Sequence, residues 1–252
     1  MARAGIGVAA VAVVLTATAL ARADDGERRS PVAGPERLTV TGQADAGAVQ
    51  PGGALTGTIT ITNPGAAARE VRDVVFAPAT SAACGRTGLA LAPTVAPTRE
   101  SPLVVPAGGT VALGWTAYMD GDGEHACQGS RLTSTVTLDG QAAGEVSVRA
   151  GELAQPPAPN GGLTTSTRAA VRWSASTAAD PGWVLERALA GTDDWQPACG
   201  TSASRPLRTP ACTDTGLARV TSYTYRVTLR TGHWHTTSRP SAPVTTQDRP
   251  SA

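Results

Sequence analysis

From residue 38 onward the apolar residues recur at every second position. Leu38 and Val40 begin the pattern, and Leu55, Ile59 and Ile61 continue it around Gly57. It returns at Val111, Leu113, Trp115 and Ala117, and again at Leu132, Val136 and Leu138. A period of two gives a strand one apolar and one solvated face, as in a sheet covered on one side. Turn formers separate the runs: Pro51-Gly52-Gly53, Asn63-Pro64-Gly65, Ala107-Gly108-Gly109 and Asp139-Gly140. The pattern lapses over Gln155-Pro156-Pro157-Ala158-Pro159-Asn160-Gly161-Gly162, where prolines stiffen the chain and glycines end the stiffness. It resumes at Val171-Arg172-Trp173, at Trp183-Val184-Leu185, and at Tyr223, Tyr225, Val227 and Leu229. These signals predict an all-β chain of two tandem β-sandwich domains, 37–152 and 163–247, joined by a Pro/Gly linker at 153–162.

The N-terminus carries a different pattern. Arg3 precedes an apolar run from Ala4 to Leu20, then Ala21-Arg22-Ala23 and the polar Asp24-Asp25. A basic residue, an apolar run and a small-x-small site predict a cleaved signal peptide over residues 1–23. The rival is an uncleaved anchor, but the run is marginal for the roughly 20 apolar residues of a span and is rich in Ala and Gly. Residues 24–36 are expected to form a flexible leader and 248–252 a polar tail. The expected location is extracellular, with no stable membrane anchor after cleavage. Cys84, Cys127, Cys199 and Cys212 are an even set, which in an exported chain suggests two disulfides with three possible pairings. The linker falls between the pairs, so Cys84–Cys127 and Cys199–Cys212 form without docking one domain on the other. No pair has C-x-x-C spacing and no histidine sits at ligand spacing from them, so zinc is not expected there. A formal charge of +1 removes the electrostatic argument for nucleic acid or anionic membrane as partner.

The second half resembles a fibronectin type III module. That family has a Trp in its second strand, an aromatic in its third, and a late Leu-x-Pro-x-Thr-x-Tyr-x-x-x-Val signature. Trp173 and Trp183 fit the first two positions, and Leu217-Ala218-Arg219-Val220-Thr221-Ser222-Tyr223-Thr224-Tyr225-Arg226-Val227 fits the third, with Arg219 in place of proline. The resemblance implies that Tyr223 is a tyrosine corner, its hydroxyl bonded to backbone just upstream. Ser238-Arg239-Pro240-Ser241-Ala242-Pro243-Val244 resembles the entry to that family's final strand. Cys199 and Cys212 are an addition to the family pattern and unsettle the middle strands. The first half resembles immunoglobulin-like domains of exported actinobacterial proteins of unknown function. The matching segments are Thr58-Ile59-Thr60-Ile61-Thr62-Asn63-Pro64, Val105-Pro106-Ala107-Gly108-Gly109-Thr110 and Ala126-Cys127-Gln128-Gly129. Both resemblances imply immunoglobulin-like sandwiches, and neither carries an activity over, because such modules host unrelated roles.

Chemical candidates are few. The histidines are His125, His233 and His235; G-x-S-x-G and H-E-x-x-H do not occur, and the acids sit in turn-like contexts. No catalytic residue, cofactor or metal site is therefore assigned. Asp120-Gly121-Asp122-Gly123-Glu124 alternates acids with glycines as a calcium loop does, but lacks the remaining ligands and reads better as a solvated turn before Cys127. His233-Trp234-His235 lies where the fibronectin type III resemblance places the turn between the last two strands. It is the candidate partner-binding loop, set against a Trp234 packed on the sheet. Trp195, beside Asp193 and Asp194, is a second aromatic able to stack on a sugar. The expected function is a secreted non-catalytic accessory or interaction protein whose partner is a protein or a cell-envelope glycan. A carbohydrate-binding module using Trp195 or Trp234 is the alternative, and an extracellular hydrolase ranks third. N-terminal sequencing of protein from the culture medium should read Asp24 as the first residue; membrane-retained protein with Met1 intact would count against the cleaved leader.

Overall fold

The computed structural model describes residues 37–45 and 47–248. The proposed signal peptide, the leader and the last four residues of the tail lie outside them. The described residues pack as one compact unit. Its first half contains β1 (Thr39–Ala44), β2 (Ala54–Thr62), β3 (Arg69–Val71), β4 (Val74–Phe76), β5 (Leu89–Pro93), β6 (Leu103–Val105), β7 (Thr110–Met119), β8 (Arg131–Leu138) and β9 (Gln141–Arg149). One layer has the order β1-β2-β7-β5 and the other β9-β8-β4, with β3 and β6 paired separately. The two layers are joined where β1, antiparallel to β2, also runs parallel to β9 at Val40 and Thr41. A side chain could not replace Gly144 at this crossing, since its Cβ would lie 2.1 Å from the Val40 carbonyl oxygen. This strand order is that of an immunoglobulin-like sandwich.

The alternating apolar residues are the ones that turn inward. Ile59, Ile61, Trp115, Ala117, Leu132 and Val136 are all fully buried. The turn signals also have identifiable work. Asp139-Gly140 takes positive φ at both residues (48° and 78°) and closes the β8–β9 hairpin, as a two-residue turn requires. Asn63 is buried, and its amide nitrogen donates to the carbonyls of Ala67 at 2.8 Å and Pro106 at 3.0 Å. The Asn63 backbone N–H donates to Gly109 O at 2.9 Å. Two segments that carry the immunoglobulin-like resemblance, 58–64 and 105–110, therefore meet in space.

The second half contains β10 (Asn160–Thr164), β11 (Arg168–Arg172), β12 (Gly182–Leu189), β13 (Gln196–Pro197), β14 (Ala211–Thr215), β15 (Ser222–Thr231), β16 (Trp234–Thr237) and β17 (Val244–Thr245). One layer is β10-β11-β14; the other is β13-β12-β15-β16, with β17 also on β15. The segment read as linker ends inside β10, and Leu153, Pro156 and Pro159 within it are buried. Tyr223 is the expected corner: its hydroxyl oxygen accepts from the Ala218 backbone N–H at 3.0 Å. The prolines at 240 and 243 interrupt the last strand between β16 and β17. There the hydroxyls of Ser238 and Ser241 accept from the N–H groups of Val227 and Tyr225, both at 3.0 Å, in place of backbone carbonyls.

Both disulfides are formed, Cys84–Cys127 and Cys199–Cys212. The second ties the loop after β13 to β14 in the opposite layer. Beside it the sandwich interior holds an ion pair. Asp214, with a side chain 3% exposed, accepts from Arg187 Nη1 through both carboxylate oxygens, at 2.8 and 2.9 Å. The Tyr225 hydroxyl donates to the same carboxylate at 3.1 Å. Burial, and then the Asp214 charge, push the Tyr225 phenol well above its ordinary pKa, so it stays a donor. Removing one partner of a buried pair strands the other charge. Arg187→Ala should therefore cost about 3 kcal/mol in urea unfolding. Arg226→Ala, which breaks the more exposed pair with Glu186 at 2.8 Å, should cost no more than about 1 kcal/mol. Equal losses in the two variants would contradict this.

Candidate functional site

The loop that follows β7 is built from the acid–glycine string. Asp120 Oδ1 accepts from the Asp122 N–H at 2.8 Å, and Glu124 Oε2 accepts from Gly85 N–H at 3.0 Å. Asp122 faces Arg86 at 3.8 Å. These carboxylates thus hold backbone and an arginine, turning the string into a fixed ledge against residues 84–88. A single 3₁₀ turn, His125–Cys127, closes the loop, and the Cys84–Cys127 disulfide anchors it.

This ledge meets the second sandwich. Gly121 O accepts from the His233 N–H at 3.2 Å. The imidazoles of His125 and His235 stack, with centroids 4.1 Å apart and planes 24° apart. Gln128 Nε2 donates to His125 Nδ1 at 2.9 Å, and the His235 backbone N–H approaches the same nitrogen at 3.4 Å. Both are donors, so Nδ1 is an acceptor and neutral His125 carries its proton on Nε2. Gln128 Oε1 accepts from the Leu153 N–H at 2.9 Å, which settles the orientation of the amide. The head of the linker is tied to both sandwiches, for Gln50 Nε2 donates to Glu152 O at 2.8 Å and Gln155 Nε2 donates to Thr237 O at 2.7 Å. Glycines permit the close approach. A Cβ on Gly232, which has φ +54°, would lie 2.3 Å from Gly121 O, and one on Gly52 would lie 2.9 Å from Ala179 Cβ.

His125 has a pKa below its ordinary value of 6.5. Desolvation is the first cause, followed by the nearby His235 and then Arg230. Arg230 lies opposite His235 on the β15–β16 ladder.

The residues singled out from the sequence separate into two environments. Trp234 is fully buried, so it is core and offers no surface to a partner; the candidate loop cannot work as an exposed tryptophan tip. His233 and His235 remain exposed at the edge of the seam. Trp195 is part-buried, and the Arg226 guanidinium sits 4.4 Å from its ring centroid, which covers one face of the indole. Sequence reasoning missed the role of His125 because the histidine it stacks on lies 110 positions away. A pair of histidines at 233 and 235 was visible; the third histidine stacking on one of them was not.

No protein-family model matches the chain, and no curated protein matches it. Among solved structures it is similar to domains A168–A170 of titin, at 13% identity over 84% of this chain and 66% of that one, with a TM-score of 0.34. It is also similar to the twitchin kinase region of C. elegans, at 19% identity over 40% of this chain and 18% of that one, with a TM-score of 0.35. A third is the fibronectin type III domain of human fibronectin type III domain containing protein 3, at 17% identity over 39% of this chain and 89% of that one, with a TM-score of 0.32. The chain spans just under two thirds of the titin fragment and less than a fifth of the twitchin region. These likenesses are too distant to bear on function.

Gly232→Ala should separate the sandwiches without unfolding either. The left-handed backbone alone costs roughly 1–2 kcal/mol for a residue with a Cβ, and the contact with Gly121 O adds to it. Gly191→Ala is the control, with φ +85° and nothing near its Cβ position. Backbone ¹⁵N relaxation should give two correlation times in the first variant and one in the second.

Proposed function

We propose that this chain is a secreted, non-catalytic interaction protein that presents two immunoglobulin-like sandwiches as one body to a protein or glycan of the cell envelope or its surroundings. The observation that carries the reading is the seam. A backbone hydrogen bond, a ring stack and a linker whose head is tied to both sandwiches hold the modules together, and a preorganised body loses less freedom on binding than two swinging ones. Secretion draws support from the two disulfides, which persist in oxidising compartments. Among the described residues no helix is long and apolar enough to cross a membrane. The non-catalytic part rests on where the reactive side chains are engaged. The acids at 120 and 124 hold backbone N–H groups, Asp214 is neutralised by Arg187, and His125 and His235 face each other. The glycan alternative draws little from the tryptophans, because Trp234 is core and Trp195 has a face under Arg226.

The test is to incubate the oxidised mature chain with envelope fractions and with proteins of the culture medium. It should be recovered in a complex that survives washing, with the captured partner covalently unchanged. Cleavage of an envelope glycan or protein by the purified chain would overturn the non-catalytic reading.

A further inference from the structure

The seam contains an acceptor that a proton destroys. We propose that the joint between the two sandwiches is pH-responsive: it is closed while His125 is neutral and loosens when His125 is protonated.

The geometry supplies the reason. His125 Nδ1 is approached by two donors, Gln128 Nε2–H at 2.9 Å and the His235 backbone N–H at 3.4 Å. Protonation turns Nδ1 into a third donor, and all three then oppose one another. Rotating the Gln128 amide would give the imidazolium an oxygen, but that oxygen already accepts from Leu153 N–H at 2.9 Å at the start of the linker. The backbone strand at 235 has no such freedom, since it is paired with Arg230 in the β15–β16 ladder. Relief therefore comes from withdrawing the second sandwich, which also breaks the His233 N–H to Gly121 O bond at 3.2 Å.

The surrounding charges act in the same direction. His235 stacks on His125 at 4.1 Å and disfavours a proton on it. Arg230 adds a permanent positive charge from β15. On the ledge, Glu124 is bound to Gly85 N–H, Asp120 holds Asp122 N–H and Asp122 faces Arg86. Glu152, at the head of the linker, has its side chain against Gly129. Among the described residues no carboxylate pairs with either imidazole within 4 Å. The sign follows from linkage. Contact with the second sandwich lowers the His125 pKa, by desolvation first and then by His235 and Arg230, so the open joint binds the proton more readily than the closed one. While both states are neutral, closure is complete. As the pH falls, the open joint takes up the proton first and closure weakens; once both states are protonated the loss levels off.

The inference goes beyond the proposed function, and its test needs no partner. Amide hydrogen exchange of the full mature chain is followed at pH 7.5 and pH 5, each rate being divided by its intrinsic value. Protection of the His233 amide, which bonds across the seam, should fall on the order of tenfold for each pKa unit separating the closed and open joints. Protection of the Tyr225 amide, bonded within the second sandwich, should hold and certify the fold. Gln128→Glu places an acceptor beside His125 Nδ1 that favours the imidazolium, while a carboxylate oxygen still receives Leu153 N–H. In that variant the His233 amide should keep or gain protection at pH 5. Unchanged protection of His233 in the unmodified chain between the two pH values would overturn the proposal. So would a Gln128→Glu chain that loses protection as the unmodified chain does.

Discussion

The Cys84–Cys127 disulfide is the constraint on which the seam depends. It joins the β4–β5 loop to the 3₁₀ turn before β8. Without it, residues 120–128 would be a polar, glycine-rich excursion with little apolar surface to bury. With it, the excursion becomes a ledge with Gly121 O and the His125 ring in fixed positions. In the chain-entropy account a loop of this length is worth roughly 4 kcal/mol, and the shorter Cys199–Cys212 loop roughly 3. The local consequence is more informative than the sum. The staple spares the ledge the ordering cost that contact with the second sandwich would otherwise have to meet.

The second sandwich solves its own ordering problem differently. Its middle region is nearly devoid of regular strand, with β13 only two residues long. The Cys199–Cys212 bond and the Asp214–Arg187–Tyr225 cluster hold that region across the layers. A buried charge is tolerated here because four groups meet it: the guanidinium, the phenol, the Thr215 backbone N–H at 3.1 Å and, at 3.4 Å, the Cys199 backbone N–H. Such a cluster contributes less net stability than its geometry suggests, but it penalises any other arrangement of the loop. The tyrosine corner and the Ser238 and Ser241 hydroxyls act likewise, each supplying a hydrogen bond where loop or proline geometry leaves a backbone group unpaired.

The seam differs from both interiors. Its histidines are exposed, and the close backbone approach at Gly121 and Gly232 is one that only glycine permits. An interface of this kind is held by a few directional contacts, so altering one acceptor changes the whole. The apolar cores, by contrast, are insensitive to protonation over the neutral range, and the buried carboxylate is shielded by its arginine.

What the sequence by itself determined was everything carried by local period and local turn chemistry. The alternation at Ile59, Ile61, Trp115 and Val136 specified strand faces because side chains on a strand alternate regardless of partner. Asp139-Gly140 specified a hairpin because few residue pairs adopt two positive φ angles, and the spacing of Leu217, Tyr223 and Val227 marked the corner strand. Tertiary structure alone decided which strands neighbour which, including the parallel crossing of β1 and β9 at Gly144. It alone turned Trp234 inward, where period two left either face open. It also brought His125 to His235, 110 positions apart, and Asp214 to Arg187 across the layers. Those contacts pair single residues from distant segments, and a pairing between two isolated positions leaves no periodic trace in either.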